Sequence, residues 1–269
     1  MGVVELRDRD RIAAFCRRRP AVQAYLLGDL DDFFWPHTRW LGWAPDGRLE
    51  QLALVYDEPD PPVLLVFAEG GAPGVGGAAA LLRAVAVDLP ERLYAHLTPG
   101  LLEALAPRLV PLAEPVLHAK LGLASPDRLA VHDTERTELL GPGELAEVES
   151  FYARAYPGTW FQPRMLETRR YVGIRRGGEL ACVAGVHVVS RDYRVAALGN
   201  VATLPAARGA GLATAACARL CRLLLDEGID VISLNVRADN AAALRAYAKL
   251  GFEHAADYVE VLLGPAGPA

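Results

Sequence analysis

Two short runs in the second half of this 269-residue chain combine residue types that bind anions and move protons. The first, Val201-Ala202-Thr203-Leu204-Pro205-Ala206-Ala207-Arg208-Gly209-Ala210-Gly211-Leu212-Ala213-Thr214, reads as a strand that passes through a glycine turn into a helix. A helix start leaves about four amide N–H groups unpaired, and its dipole favours an anion there. Gly209 and Gly211 remove the β-carbons that would hold a pyrophosphate off the backbone, and Arg208 offers charge and a planar set of donors. A plain strand-to-helix turn with a solvated arginine is the other reading of the same residues. The second run is Asn240-Ala241-Ala242-Ala243-Leu244-Arg245-Ala246-Tyr247-Ala248-Lys249-Leu250-Gly251-Phe252. Seven residues nearly complete two helical turns, so Asn240 and Tyr247 share a face about 10 Å apart along the axis. A phenol with a pKa of about 10 stays protonated at neutral pH and can act as a general acid. Alternatively, Asn240 caps the helix and Tyr247 is a core aromatic.

Taken together, the R-x-x-G-x-A loop (Arg208, Gly211, Ala213) and the N-x-x-A-x-x-x-Y-x-x-x-G-F helix (Asn240, Ala243, Tyr247, Gly251, Phe252) resemble the acetyl-CoA site of the GNAT superfamily of N-acetyltransferases. The likeness covers about residues 195 to 252. It implies acetyl-CoA as cosubstrate, with Val201 and Thr203 meeting the pantetheine arm and a strand N–H near Val201 or Ala202 stabilising the negative charge on the thioester oxygen. Arg208, Gly209, Ala210, Gly211, Leu212 and Ala213 would cradle the pyrophosphate, Asn240 would meet the pantetheine again, and Tyr247 would face the thioester sulfur. Some relatives carry a glutamate as base on the strand before the loop. Here Arg194 to Thr203 contains no carboxylate and has Asn200 near that place. His187, between Val186 and Val188, is the candidate base if strand alternation points it into the cleft; a hydrogen-bonded sheet histidine, a water relay or an amine already neutral are the alternatives.

These residues need a sheet and helices to carry them. Leu180 to Ser190 and Arg194 to Thr203 read as strands, Leu212 to Glu227 as a long amphipathic helix ended by Gly228, Val231 to Val236 as a strand, and Ala241 to Leu250 as a helix ended by Gly251. Glu144 to Ala155 adds a helix, and Tyr258 to Leu263 a last strand. A pantetheine slot requires the strands of 194–203 and 231–236 to splay apart, so that one edge can bind amides as it would a peptide.

Gly122, Ser125, Pro126, Asp127, Gly141, Pro142 and Gly143 mark a connection, which predicts a division near residue 130: a divergent α/β domain over 1–130 and a GNAT acetyltransferase domain over 131–269. The fold class expected is α/β (α+β), a mixed, mostly antiparallel sheet flanked by helices. The first half echoes the same order in a Val63 to Ala68 strand, the glycine-rich Gly70 to Gly77, an Ala78 to Val87 helix, the Leu93 to Leu97 strand, a Leu101 to Leu105 helix and the Val116 to Leu121 strand. A degenerate repeat is one reading, as in the glycine N-acyltransferase-like branch; no arginine stands beside Gly74 to Gly77, and no second CoA is expected.

Composition sets the outer bounds. Hydrophobic residues make up 52% and charged ones 23%, which excludes a disordered chain. The formal charge of −5 gives no field to draw in a polyanion, so nucleic acid is not expected as a partner. Lys120 and Lys249 are the only lysines in an arginine-rich chain. Cys16, Cys182, Cys217 and Cys221 form no CxxC pair, which fits a reducing cytoplasm, and neither a signal peptide nor a membrane span is read. No metal set is found. The expected acceptor is a primary amine of a small molecule or peptide, shaped by Tyr152, Tyr156, Trp160, Phe161, Gln162 and Pro163 unless these pack the core. A homodimer is compatible with the sequence. A non-catalytic acyl-CoA sensor and a nucleotide-binding oxidoreductase are the rival readings; the latter lacks its third glycine at Thr214 and an acidic residue after Val231 to Val236.

Overall fold

The computed structural model describes residues 2–106 and 108–266, the side chains of 71–73 excepted. Contacts group the chain into two compact units: Met1–Lys120 with Arg237–Asp239 and Ala256–Ala269, and Leu121–Val236 with Asn240–Ala255.

In the first unit β1 (Val3–Leu6) leads into α1 (Arg9–Cys16) and the short α2 (Ala24–Gly28). Asp8 starts α1 by accepting a hydrogen bond from the Arg11 amide at 3.0 Å. Then follow β2 (Thr38–Trp43), β3 (Gln51–Tyr56), β4 (Val63–Val66), α3 (Gly71–Val85), β5 (Leu93–Leu97), β6 (Leu109–Pro111) and β7 (Val116–Leu123). The sheet runs β1-β2-β3-β4-β5 and is antiparallel except between β4 and β5. β3 is buried along its whole length, as expected of a central strand covered on both faces. Of the glycine-rich stretch Gly70 to Gly77, all but Gly70 lies inside α3 rather than in a loop, and the expected Leu101 to Leu105 helix is a single 3₁₀ turn.

The second unit repeats this order with longer elements: β8 (Thr137–Leu140), α4 (Leu145–Ala155), a 3₁₀ segment over Pro163–Thr168, β9 (Tyr171–Arg176), β10 (Glu179–Ser190), β11 (Val195–Thr203), α5 (Leu212–Asp226), β12 (Val231–Arg237) and α6 (Ala241–Lys249). β13 (Phe252–Pro265) then contributes its later residues to the first unit, where Val259 to Leu263 pair antiparallel with β5. The second sheet runs β8-β9-β10-β11-β12, again antiparallel except for one pair, β11 with β12. Helical spacing explains what α4 and α5 bury: Val148, Phe151 and Tyr152 on one, Cys217, Leu220, Cys221 and Leu224 on the other. Each unit is thus a mixed, mostly antiparallel sheet flanked by helices.

In the first unit the two faces of β13 differ in kind. Val259, Val261 and Leu263 join the apolar core beneath α3. Tyr258 and Glu260, two residues apart and so on the opposite face, enter a polar layer. Glu260 accepts from the Tyr258 and Tyr94 hydroxyls at 2.5 and 2.9 Å, with His96 and His118 at 3.9 and 3.7 Å. Burial pushes the Glu260 carboxyl up, but those imidazoles and hydroxyls outweigh it and hold the carboxyl below its ordinary value. Deeper in, the Lys120 Nζ lies 4.0, 4.9 and 5.1 Å from the ring centroids of Phe67, Tyr258 and Tyr25. Burial drives its pKa down to about 7 and raises that of Asp29, at the end of α2, to about 8.

Candidate active site

The β10–β11 hairpin is the frame of the site. On its outer side β11 pairs in parallel with β12 from Val195↔Val231 to Leu198↔Leu234, and the register stops there. On its inner side β11 remains paired with β10 to the end, Thr203 opposite Cys182. The residues from Gly199 to Thr203 therefore extend past the last β12 pair while still held from behind. This is the splay that a peptide-like ligand arm requires, and Val201, Ala202 and Thr203 all lie on it.

β11 runs through a 3₁₀ turn at Pro205–Ala207 into α5. Arg208 is exposed, and its Nε donates to the Thr203 carbonyl at 3.3 Å, which folds the guanidinium back toward the strand end. Gly211 is the residue that opens α5, and it does so at φ +74°, in the left-handed region where a β-carbon is strained. Gly209, Ala210, Leu212 and Ala213 surround it. No side chain caps α5 and no acidic residue stands in its first turn, so its first amides have no side-chain acceptor.

The structure places Asn240 and Tyr247 at the two ends of α6. Asn240 is the helix cap, its Oδ1 accepting from the Ala243 amide at 3.1 Å, so one of its two sequence readings is realised and only its amide nitrogen is left over from the cap. Tyr247 is buried, edge-on to Phe252 with ring centroids 5.9 Å apart. Burial pushes its hydroxyl pKa well up, with smaller pushes from Cys217, Cys182, Cys221 and Tyr156. Burial thus keeps the phenol protonated at neutral pH, the form a proton donor must have. Thr203 donates to Cys182 Sγ at 3.4 Å, and burial pushes that thiol up to about 11. All four cysteines are free and buried.

His187 and Asn200 meet across the hairpin. His187 Nε2 lies 2.9 Å from Asn200 Oδ1, and Asn200 also accepts from Thr159 Oγ1 at 2.9 Å. The Asn200 amide nitrogen donates to the Tyr171 hydroxyl at 2.9 Å, and its backbone carbonyl accepts from the Tyr152 hydroxyl at 2.7 Å. A β-carbon at Gly199 would lie 2.3 Å from the His187 ring, so glycine there is what lets the imidazole lie across β11. The aromatic segment divides. Tyr152 and Phe161 pack in the core, whereas Tyr156 and Trp160 keep 50% and 43% exposure, and Trp160 stands edge-on to His187 at 5.7 Å. Gln162 accepts from Arg164 at 2.7 Å and Pro163 opens the 3₁₀ segment. Sequence reading noted Asn200 only as a missing carboxylate. Its hub role was signalled by its type alone, since asparagine tolerates the left-handed backbone, φ +54°, that it adopts here.

Among the described residues no group of three or more His, Cys, Asp or Glu could hold a metal ion, and no helix is long and apolar enough to cross a membrane.

Residues 133–252 match the Acetyltransferase (GNAT) family. Over 88 residues the chain is 40% identical to the N-alpha-acetyltransferase RimI of Mycobacterium tuberculosis, a match covering 31% of this chain and 51% of that protein. The chain thus spans about half the length of that curated relative. Among solved structures, a Drosophila protein aligns at TM-score 0.66 and 14% identity over 96% of this chain and 98% of its own. A GCN5-related N-acetyltransferase from Kribbella flavida aligns at TM-score 0.57 and 22% identity over 95% and 96%. At these identities the two structures share the fold.

Proposed function

We propose that the chain, whose residues 133–252 match the Acetyltransferase (GNAT) family, transfers an acetyl group from acetyl-CoA to a primary amine of a small molecule or peptide, by direct attack in a ternary complex. The observation that carries this reading is the parting of β11 from β12 after Leu198↔Leu234, immediately before the glycine turn into α5.

In this reading the pantetheine amides bond to Val201 and Thr203 as a neighbouring strand would, with Asn240 on the far side, and the pyrophosphate rests on residues 208–213 at the start of α5. The amine nitrogen attacks the thioester carbon. The N–C bond forms as negative charge builds on the carbonyl oxygen, where the amide N–H of Val201 or Ala202 stabilises it. The C–S bond then breaks, the sulfur takes the Tyr247 proton, and the ammonium proton passes to His187. Burial of Tyr247 supports its part, since the phenol enters the reaction protonated.

The acceptor is an amine of moderate basicity. An α-amino group, with a pKa of about 8, presents roughly 10²-fold more neutral amine at pH 7 than a lysine side chain near 10.4. The similarity to an N-alpha-acetyltransferase supports the same class. Four buried, unpaired thiols support a cytoplasmic setting.

The test is calorimetry with acetyl-CoA, followed by an assay of CoA release over a panel that pairs α-amines with ε-amines. Binding with turnover, faster for α-amines, supports the proposal. Binding without turnover across the panel makes the chain an acyl-CoA sensor, and no heat at millimolar acetyl-CoA removes the proposal altogether.

A further inference from the structure

The register of the β10–β11 hairpin slips twice, once on each strand. Between Val186↔Leu198 and Val188↔Ala197 the extra residue is His187, on β10. Between Val183↔Ala202 and Gly185↔Gly199, β11 carries two residues, Asn200 and Val201, against one on β10. A bulge leaves its residue outside the ladder and re-aims its side chain. Two bulges on facing strands, within a few residues of each other, aim His187 and Asn200 at the same point, 2.9 Å apart. That point lies where β11 has just left β12.

We infer that Asn200 is a positioning residue that fixes the tautomer of His187, and that the paired bulges exist to deliver the two side chains together. The hydrogen bonds decide the polarity. The Asn200 amide nitrogen is spent on the Tyr171 hydroxyl, which has Met165 Sδ at 3.2 Å and the Val186 carbonyl at 3.4 Å as its own acceptors. Oδ1 therefore faces His187, and an amide oxygen can only accept. The imidazole must carry its proton on Nε2, which puts the lone pair on Nδ1. Asn200 is 4% exposed; Thr159 and Tyr171 bond its side-chain amide and Tyr152 its backbone carbonyl. Since a hydroxyl can donate or accept, it is the onward bond of Tyr171 to Met165 or Val186 that turns the amide nitrogen toward Tyr171 and the oxygen toward His187. Tyr152 and Tyr171 are the titratable groups of this network, and burial keeps both protonated. Trp160 closes over the ring edge-on. This inference rests on the acetyltransferase reading for the chemical use of Nδ1, which takes the proton of the attacking amine, and on the geometry alone for the tautomer.

The test has two arms. In the first, the full-length protein labelled with ¹⁵N-histidine is examined by long-range ¹H–¹⁵N correlation near neutral pH, with His187 assigned from its absence in His187→Gln. An Nε2–H tautomer that becomes mixed in Asn200→Leu is the expected result. An Nδ1–H tautomer in the wild type, or no change on removing Asn200, overturns the inference. In the second arm, the pH profile of kcat/KM is measured for Asn200→Asp. A carboxylate against Nε2 stabilises the imidazolium, so the acidic limb moves up by about 1–3 pH units. A merely structural asparagine instead gives a loss that is uniform with pH, which overturns the positioning role. Should the wild type release no CoA with any amine, the acetyltransferase reading fails and the base role of Nδ1 with it. The tautomer measurement, which needs neither turnover nor a folded aspartate variant, then still decides whether Asn200 orients His187.

Discussion

Each unit contains one pair of parallel strands flanking a long helix, and the two pairs end in opposite ways. In the second unit β11 and β12 part after Leu198↔Leu234, and five residues of β11 run on. In the first unit the β4–β5 ladder reaches Val66↔Leu97 and is then sewn further: the Thr98 amide donates to the Val66 carbonyl at 3.0 Å, and the Thr98 hydroxyl accepts from the Ala68 amide at 2.9 Å. One threonine thus occupies both the donor and the acceptor that a pantetheine arm would seek. The first unit also has a 3₁₀ turn where the second has α6, and so no counterpart to Tyr247. The topology alone does not make an acyl-CoA site. What the proposed site adds is an edge left unpaired by its neighbour strand, open to a ligand's amides.

The sharpest way to break this contrast is at Tyr247. Tyr247→Phe keeps the ring and its packing against Phe252 and removes only the proton donor. Turnover should fall by about 10²–10⁴-fold, with the acetyl-CoA Kd unchanged in calorimetry. Unchanged turnover would mean that the second unit owes its activity to the open edge alone.

Lys120 tests the opposite idea, that the first unit keeps its polar layer at a cost. Its folded pKa, about 7, lies below its unfolded value of 10.5. A depressed pKa gives stability that is present above the unfolded value and lost as pH falls through the folded one. Lys120→Met should therefore gain on the wild type as pH drops from about 10 toward 7, reaching ~1–4 kcal/mol in urea melts, the range seen when buried ion pairs are replaced by apolar side chains. Asp29 is common to both proteins and, with its pKa raised, loses its contribution as pH rises toward 8, so only the difference between the two curves reports Lys120. A difference that does not vary with pH would show that the ammonium is not desolvated as its aromatic surroundings imply.

How far the sequence reveals these things depends on whether the signal is local. β10, β11, α5, β12 and α6 were readable to within a residue or so, because apolar periodicity and the terminating glycines at 228 and 251 are written in the segment itself. The glycine-rich Gly70 to Gly77 misled, since glycine is disfavoured in a helix on intrinsic grounds and tertiary packing overrode that preference at α3. β3 went unread because a strand buried on both faces has no alternation to see. The glycine turn and the helix that carry the proposed site residues were legible by type and spacing. The Asn200 hub was not: its partners Thr159, Tyr171 and His187 come from different segments, and only the bulges bring them together. Nor does a linear reading register that β13 contributes its later residues to the first unit.

Gly211→Ala probes the second unit's anion end. A β-carbon at φ +74° costs roughly 1–2 kcal/mol, and calorimetry should show acetyl-CoA affinity reduced together with the melting temperature. A loss of affinity without any loss of stability would mean that the β-carbon meets the pyrophosphate itself.

Thr98 bears most directly on the contrast. Thr98→Val keeps the volume and the backbone bond to Val66 but takes the acceptor from the Ala68 amide. An unsatisfied buried N–H costs about 1–3 kcal/mol, less whatever water recovers at an edge that borders a cavity of about 320 Å³ lined by Arg19, Val22, Ala68, Val75, Thr98 and their neighbours. A fall in melting temperature of a few degrees is expected, with acetyl-CoA stoichiometry unchanged at one per chain. One freed donor is not enough, because the first unit has no arginine in its strand-to-helix turn and a 3₁₀ turn in place of the helix that carries Tyr247. If the variant instead binds a second equivalent of acetyl-CoA, a single side chain separates the two units, and the first is a closed acyl-CoA site rather than a scaffold.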